Sequence, residues 1–226
     1  MTLPELEHIA AEVWLSFDGP PPPPRDLEPH LSLIAPLFVV TLPRLSPSAV
    51  FEWLRDRGLP LPDRDPPPMN LLGCLVAHAG SGGIFLEESL TADERRVIVA
   101  HEFAHFVLDY EGPRTRAVRR LGPDILRVLD GFQPPDDSIE IAAALADVPL
   151  GVHSHLLDCD AETEDRATAL ALELLAPRAA VRGGEEELVT TWQIPRRWAV
   201  IHARWIADWH QREGNSLVGK PILPLP

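Results

Sequence analysis

The residues with the clearest chemistry are His101, Glu102 and His105, in the run HEFAH. At about 100° per residue the two histidines lie about 40° apart on one helical face, one turn above the other. Two imidazoles so placed can grip one zinc ion at about 2.0–2.1 Å and leave room for a third ligand and a water. Glu102 is rotated off that line, where a carboxylate reaches the water as general base. By residue frequencies, a chance H-E-x-x-H match is expected about 0.03 times in a chain of this composition. The spacing therefore predicts one Zn2+ per chain, with Glu102 catalytic.

The element that must carry these residues is a helix opened by Thr91, with Glu94 three residues on as a capping box. Its pattern predicts a run to about Tyr110, ending at Gly112-Pro113. Val97, Ile98, Ala100, Phe103, Ala104, Phe106, Val107 and Leu108 leave it almost no polar face, which makes it a buried helix. Buried polar groups without partners cost about 1–3 kcal/mol each; a metal and its water would satisfy all three. An extended H-E-x-x-H-x-x-G-x-x-H motif needs glycine at 108 and histidine at 111. The chain has Leu108 and Glu111 there, so the third ligand must come from a later segment.

The helix predicted from Ala161 to Ala176 offers Glu164. Leu170, Leu174, Ala167, Ala171, Leu175, Ala161 and Leu172 form an apolar arc about 200° wide with Glu164 near its centre. Glu162, Arg166 and Glu173 fall on the opposite side, read as solvated. His153 and His155 are rivals as ligands, with Asp158, Cys159 and Asp160 weaker ones.

Around these two helices the coarse pattern gives a helix at Glu5–Phe17, a strand at Leu37–Leu42 and a helix at Ser48–Arg57. Strands at Leu72–Ala77 and Gly83–Glu87 flank the turn HAGSGG. Helices follow at Arg116–Leu129 and Ile139–Ala146, then a loop from Pro149 to Asp160 and a last helix within Trp192–Gln211. Helices dominating a small sheet make the class α+β. Among the 25 prolines two runs stand out, Pro20–Pro24 and Pro66–Pro68, stiff spacers or surface loops. We expect a single domain over residues 1–226, with a proline-rich part at 1–70 of open role and a catalytic core at 71–211.

Composition narrows the function class. Net charge is −14, from 20 basic and 34 acidic residues, which argues against direct nucleic-acid binding and against an anionic membrane surface. The longest apolar stretch, Leu33 to Val40, is interrupted by Pro36 and falls far short of the ~20 residues of a membrane span. The opening MTLPELEHIAAEVW carries glutamates where a signal peptide needs positive charge, and two cysteines make no disulfide framework. The expectation is a cytoplasmic protein.

Three segments resemble the ImmA/IrrE family of metallopeptidases: GIFLEESLTADERRVIVAHEFAHFVL, ETEDRATALALELLAP and LVTTWQIPRRWAVIHARW. The resemblance implies a mainly helical, gluzincin-like zinc-peptidase fold, with HExxH on a buried helix and the third ligand on the following core helix. Counting back from Pro177, the family's glutamate ligand falls on Glu164. Arg166, Thr168, Leu170 and Ala176 depart from the family pattern, which marks a divergent branch. The resemblance further implies a regulatory endopeptidase that cuts a specific protein such as a helix-turn-helix repressor, in mobile-element or stress control. The stretch Leu188–Trp205 itself superficially reads as helix-turn-helix, but Trp198 and Trp205 are expected to pack inward as part of the peptidase fold. Tyr110, His153, His155 and His202 are candidates for stabilising the oxyanion. If the strand Gly83–Glu87 edges the sheet, it could hold extended substrate by backbone pairing. The reading from a different class is a non-catalytic, zinc-stabilised module that binds a regulator; a retained general base at Glu102 weighs against it.

Overall fold

The computed structural model describes residues 3–17, 19–61, 68–135, 139–154 and 160–218. Helix α1 (Leu3–Leu15) leads through the first proline run to a short turn of helix at Glu28–His30 and α2 (Leu31–Ile34). Strand β1 (Leu37–Leu42) follows as expected, then α3 (Pro47–Asp56). Ser46 caps α3 by accepting the Ala49 N–H at 3.3 Å, and Pro47 occupies the first turn, where its missing N–H costs nothing. Strands β2 (Gly73–His78) and β3 (Ser81–Glu87) form the expected hairpin. Its turn is only Ala79-Gly80, both at positive φ (48° and 78°), as a two-residue hairpin turn requires; β3 therefore starts two residues early.

Helix α4 (Ala92–His105) opens with the predicted capping box, Glu94 N–H to Thr91 Oγ1 at 3.3 Å and Thr91 N–H to Glu94 Oε2 at 3.2 Å. It does not end at Gly112-Pro113. A π-helical segment, Phe106–Glu111, widens the coil, the Gly112 N–H bonds back to the Val107 carbonyl, and the rod continues as α5 (Gly112–Leu121). Proline here sits in the first turn of α5 and so is tolerated rather than disruptive. The expected continuous helix to Leu129 is instead broken at Gly122 (φ 85°), after which a 3-10 turn, Pro123–Ile125, leads into α6 (Leu126–Leu129). Helix α7 (Ile139–Leu145) matches expectation, and the region read as loop contains a two-residue strand, β4 (His153–Ser154). Helix α8 (Ala161–Leu175) is capped by Asp160, which accepts the Thr163 N–H at 2.8 Å. Helix α9 (Gly184–Thr190), which the pattern did not announce, precedes α10 (Arg196–Val218).

The sheet order is β1-β3-β2-β4, with β1 parallel to β3 and the other pairs antiparallel. Strand β3 is therefore interior, paired on both sides, and cannot receive a substrate strand; that expectation is overturned by the parallel addition of β1. Period-two alternation splits the core. Leu75, Ala77, Ile84 and Leu86 face α4, α8 and α1, while Cys74, Val76 and Phe85 face α3. A second cluster joins α4 and α8 to α9 and α10 through Val97, Leu172, Leu188, Trp192 and Ala199. Trp198 and Trp205 pack against it, as expected of the tail. Two of its arginines are engaged, Arg196 on Glu185 at 2.8 Å and Arg197 on Glu94 at 3.2 Å.

The N-terminal part is integrated scaffold. The Trp14 indole N–H and the Arg25 guanidinium both donate to the Leu174 carbonyl near the end of α8, at 3.0 and 3.2 Å. Arg25 lies between the rings of Trp14 and Trp192, 5.9 and 5.4 Å from their centroids, and its own carbonyl accepts from Arg96 at 2.9 Å. Glu173 is another departure from expectation. It is buried rather than solvated, because Arg178 folds back onto it at 2.8 Å and satisfies the carboxylate in place of water. Among the described residues no helix is long and apolar enough to cross a membrane.

Candidate metal centre

Helix α4 crosses α8 so that the last turn of the first meets the first turn of the second. The His101 and His105 Nε2 atoms are 3.1 Å apart, with ring planes at 83°. From α8, Glu164 places Oε2 at 3.2 Å from His101 Nε2 and Oε1 at 3.5 Å from His105 Nε2. The three residues present a donor set whose atoms lie within 4.8 Å of one another, a group that could hold a metal ion. His105 is fully buried, whereas the Glu164 side chain is 42% exposed, so the group opens to solvent on the α8 side.

The remaining imidazole nitrogens are held from behind. His105 Nδ1–H donates to Asp109 Oδ2 at 2.8 Å, and Asp109 Oδ1 accepts from Arg166 Nη2 at 2.8 Å. His101 Nδ1 is hydrogen-bonded with Thr168 Oγ1 at 3.3 Å. Both rings thus have Nδ1 engaged and Nε2 turned inward, the orientation metal-bound histidines adopt. The His105–Asp109 contact has a sequence signal, one helical turn on the same face. Arg166 and Thr168 gave none, because their roles depend on how α8 packs against α4.

Glu102 lies against the sheet, 2% exposed, and accepts the backbone N–H of Leu75. Strand β2 comes this close because residue 73 is glycine. A Cβ there would overlap Ile98 Cγ2 and sit 3.0 Å from Glu102 Oε1. Burial raises the Glu102 carboxyl to about 7, with Glu164 adding to the rise; the two imidazoles and the Leu75 N–H oppose it. Burial works against protonation of His105, but the hydrogen bonds to Asp109 and Glu164 outweigh it and lift the ring to about 9. Burial also pushes the Cys74 thiol well up, so it is a packing residue and not a nucleophile.

The oxyanion candidates fare differently. Tyr110 is fully buried and its hydroxyl accepts the Gly80 N–H at 2.8 Å, a core packing role. His202 is 1% exposed, donates from Nε2 to the Ala176 carbonyl at 2.6 Å, and is pulled by burial down to about 4; it is a neutral core histidine. His153 stacks on Tyr110, ring centroids 5.8 Å apart, opposite Ala77 and so on the α4 face of the sheet. It is not among the metal donors. His155, Asp158 and Cys159 lie outside the described residues, and Asp160 serves as the α8 cap.

No curated protein and no solved structure matches the chain. Residues 66–146 match the family model described as Peptidase_M78, IrrE N-terminal-like domain. The matched segment contains His101, Glu102 and His105; Glu164 lies beyond it and joins the group by geometry. The match supports the resemblance to the ImmA/IrrE family over residues 66–146, and that family suggests a metallopeptidase-type function.

Proposed function

We propose that this protein is a zinc-dependent endopeptidase in which His101, His105 and Glu164 hold one zinc ion and Glu102 is the catalytic base. The carrying observation is the spacing of the donors. Two ligands about 2.05 Å from a tetrahedral zinc stand roughly 3.3 Å apart; the two imidazole Nε2 atoms are 3.1 Å apart, and each has one Glu164 oxygen near it, Oε2 at 3.2 Å from His101 and Oε1 at 3.5 Å from His105. Two imidazoles and a carboxylate form the ligand type of catalytic zinc sites, which keep the fourth position for water or substrate. When bound, zinc supplies a Lewis acid that polarises the scissile carbonyl and brings the pKa of water down to about 7.

The chain's own residues supply the proton handling. Glu102, raised to about 7, is matched to taking a proton from the attacking water near neutral pH and returning it to the leaving amine. Leu75 fixes its carboxylate through the backbone, and the apolar wall of α4 keeps bulk water from it. His153, half-buried on the sheet face that carries Leu75, is the described residue left to assist the oxyanion. The substrate is a protein, and the resemblance points to a helix-turn-helix repressor as its class.

The test is metal content of the full chain after zinc reconstitution and dialysis, beside His101→Ala, Glu164→Ala and Glu102→Gln. The expected result is one zinc per chain, lost or loosened in the first two variants and retained in the third. With a repressor substrate, Glu102→Gln should lose about 10²–10⁴ in cleavage rate while still binding it. A folded wild type that takes up no zinc overturns the proposal. Zinc retained by Glu164→Ala but lost by His101→Ala would move the third ligand elsewhere.

A further inference from the structure

Resting on that reading, we propose that Arg166 is a positioning residue of the metal centre, acting through Asp109 to fix the ring of His105. Around α8, Arg166 stands about 200° from Glu164, on the side that the apolar arc leaves to water. Its guanidinium nevertheless reaches back to α4 and binds Asp109 Oδ1 at 2.8 Å.

The Asp109 carboxylate therefore has a partner on each oxygen, His105 Nδ1 on Oδ2 and Arg166 Nη2 on Oδ1. A carboxylate held at one oxygen can swing about its Cβ–Cγ bond and let the ring it anchors tilt; one held at both cannot. The couple is also shielded. The Asp109 side chain is 13% exposed and that of His105 is fully buried, so these are charge-assisted bonds in partly dry surroundings.

Placement on α8 gives the arrangement its purpose. The helix that supplies the ligand Glu164 also supplies Thr168, one turn on, to His101, and Arg166 to the anchor of His105. Docking α8 on α4 thus delivers one donor and locks the other two in a single event. Arg166 is a departure from the pattern the chain resembles, so this tie is a feature of this sequence.

The experiment is a zinc-affinity cycle on the full chain, by competition with a chromophoric chelator, with the visible spectrum of the cobalt-substituted protein as a second readout. Asp109→Ala is expected to weaken zinc binding about 10–100-fold, the range for outer-shell partners of ligating histidines. Arg166→Ala should weaken it roughly 10-fold, with altered cobalt ligand-field bands, and Arg166→Lys should recover part of the loss. Added to Asp109→Ala, Arg166→Ala should cost nothing further, because the two act in series. Thermal unfolding of the metal-free protein should be nearly unchanged by Arg166→Ala, which separates positioning from general stability.

If zinc binds the wild type but Arg166→Ala leaves affinity and spectrum unchanged, or adds its full effect to Asp109→Ala, the positioning role is wrong and the metallopeptidase reading stands. If the wild type binds no zinc, both fall together. Should Asp109→Ala fail to fold, Asp109→Asn keeps an acceptor and carries the same cycle.

Discussion

Two glutamates on α8 stand about two and a half turns apart and meet opposite fates. Glu173, near the C-terminal end, is 4% exposed and clamped by Arg178 at 2.8 Å, with the Arg178 backbone N–H on the same oxygen at 3.3 Å. Glu164, in the first turn, is 42% exposed and faces two imidazole nitrogens. The first carboxylate is charge-balanced by a fixed cation and closed to solvent, a joint in the scaffold. The second is open on one side and faces groups that become neutral ligands when a metal replaces their protons. A buried acidic residue is thus classified by what stands opposite it and by whether anything can still enter.

The largest effect expected from this contrast is on the scaffold side. Glu173→Ala leaves the Arg178 guanidinium buried without its main partner, and should destabilise the protein by about 3–5 kcal/mol in urea unfolding. Zinc affinity of the fraction still folded should be unchanged. Glu164→Gln should do the reverse, weakening zinc by more than the roughly 100-fold upper range of outer-shell partners while metal-free stability holds. Zinc loss in both variants would dissolve the distinction.

A smaller effect is expected at the strand that backs Glu102. Gly73→Ala must push Ile98 and the Glu102 carboxylate aside, which should cost about 1–3 kcal/mol as an overpacked contact. Turnover should fall while zinc stays bound, since no donor touches residue 73. Equal loss of zinc and turnover would count against a separate role for β2.

The smallest concerns pH. His202 is held neutral with a folded value near 4, against about 6.5 for an ordinary histidine. Its contribution is complete above pH 6.5 and is lost as pH falls from there towards 4, at up to about 1.4 kcal/mol per pH unit. His202→Gln, which keeps an N–H for the Ala176 carbonyl, should flatten that part of the stability–pH curve. An unchanged slope would show that other groups set it.

The difference between the two ends of α8 also measures how far the sequence could be read. Glu164 stood out because an apolar arc surrounded it, and the HExxH spacing gave α4 its face and its partner chemistry. Glu173 could not be distinguished from solvated neighbours, because its partner Arg178 lies past the end of the helix, where periodicity carries no information. Strand β1 was legible from its short apolar, β-branched run, but its parallel placement beside β3 was not, since strand order depends on a crossover and not on local pattern. The helix stop at Gly112-Pro113 misled for a related reason. Proline signals a missing N–H, and whether that ends a helix or opens its next segment depends on the hydrogen-bond register before it.

The bonds from Trp14 and Arg25 to Leu174 span 160 and 149 residues. They join one segment to a helix completed about 160 residues later. During translation α1 must wait, its face incompletely covered, until α8 has left the ribosome, and loop closure of that length is an entropic cost met before contacts repay it. Because α8 also brings Glu164, the metal group is assembled by the same late docking. The metal group therefore cannot form before α8 is complete, and holding factors that cover α1 in the interval should raise the yield of active molecules.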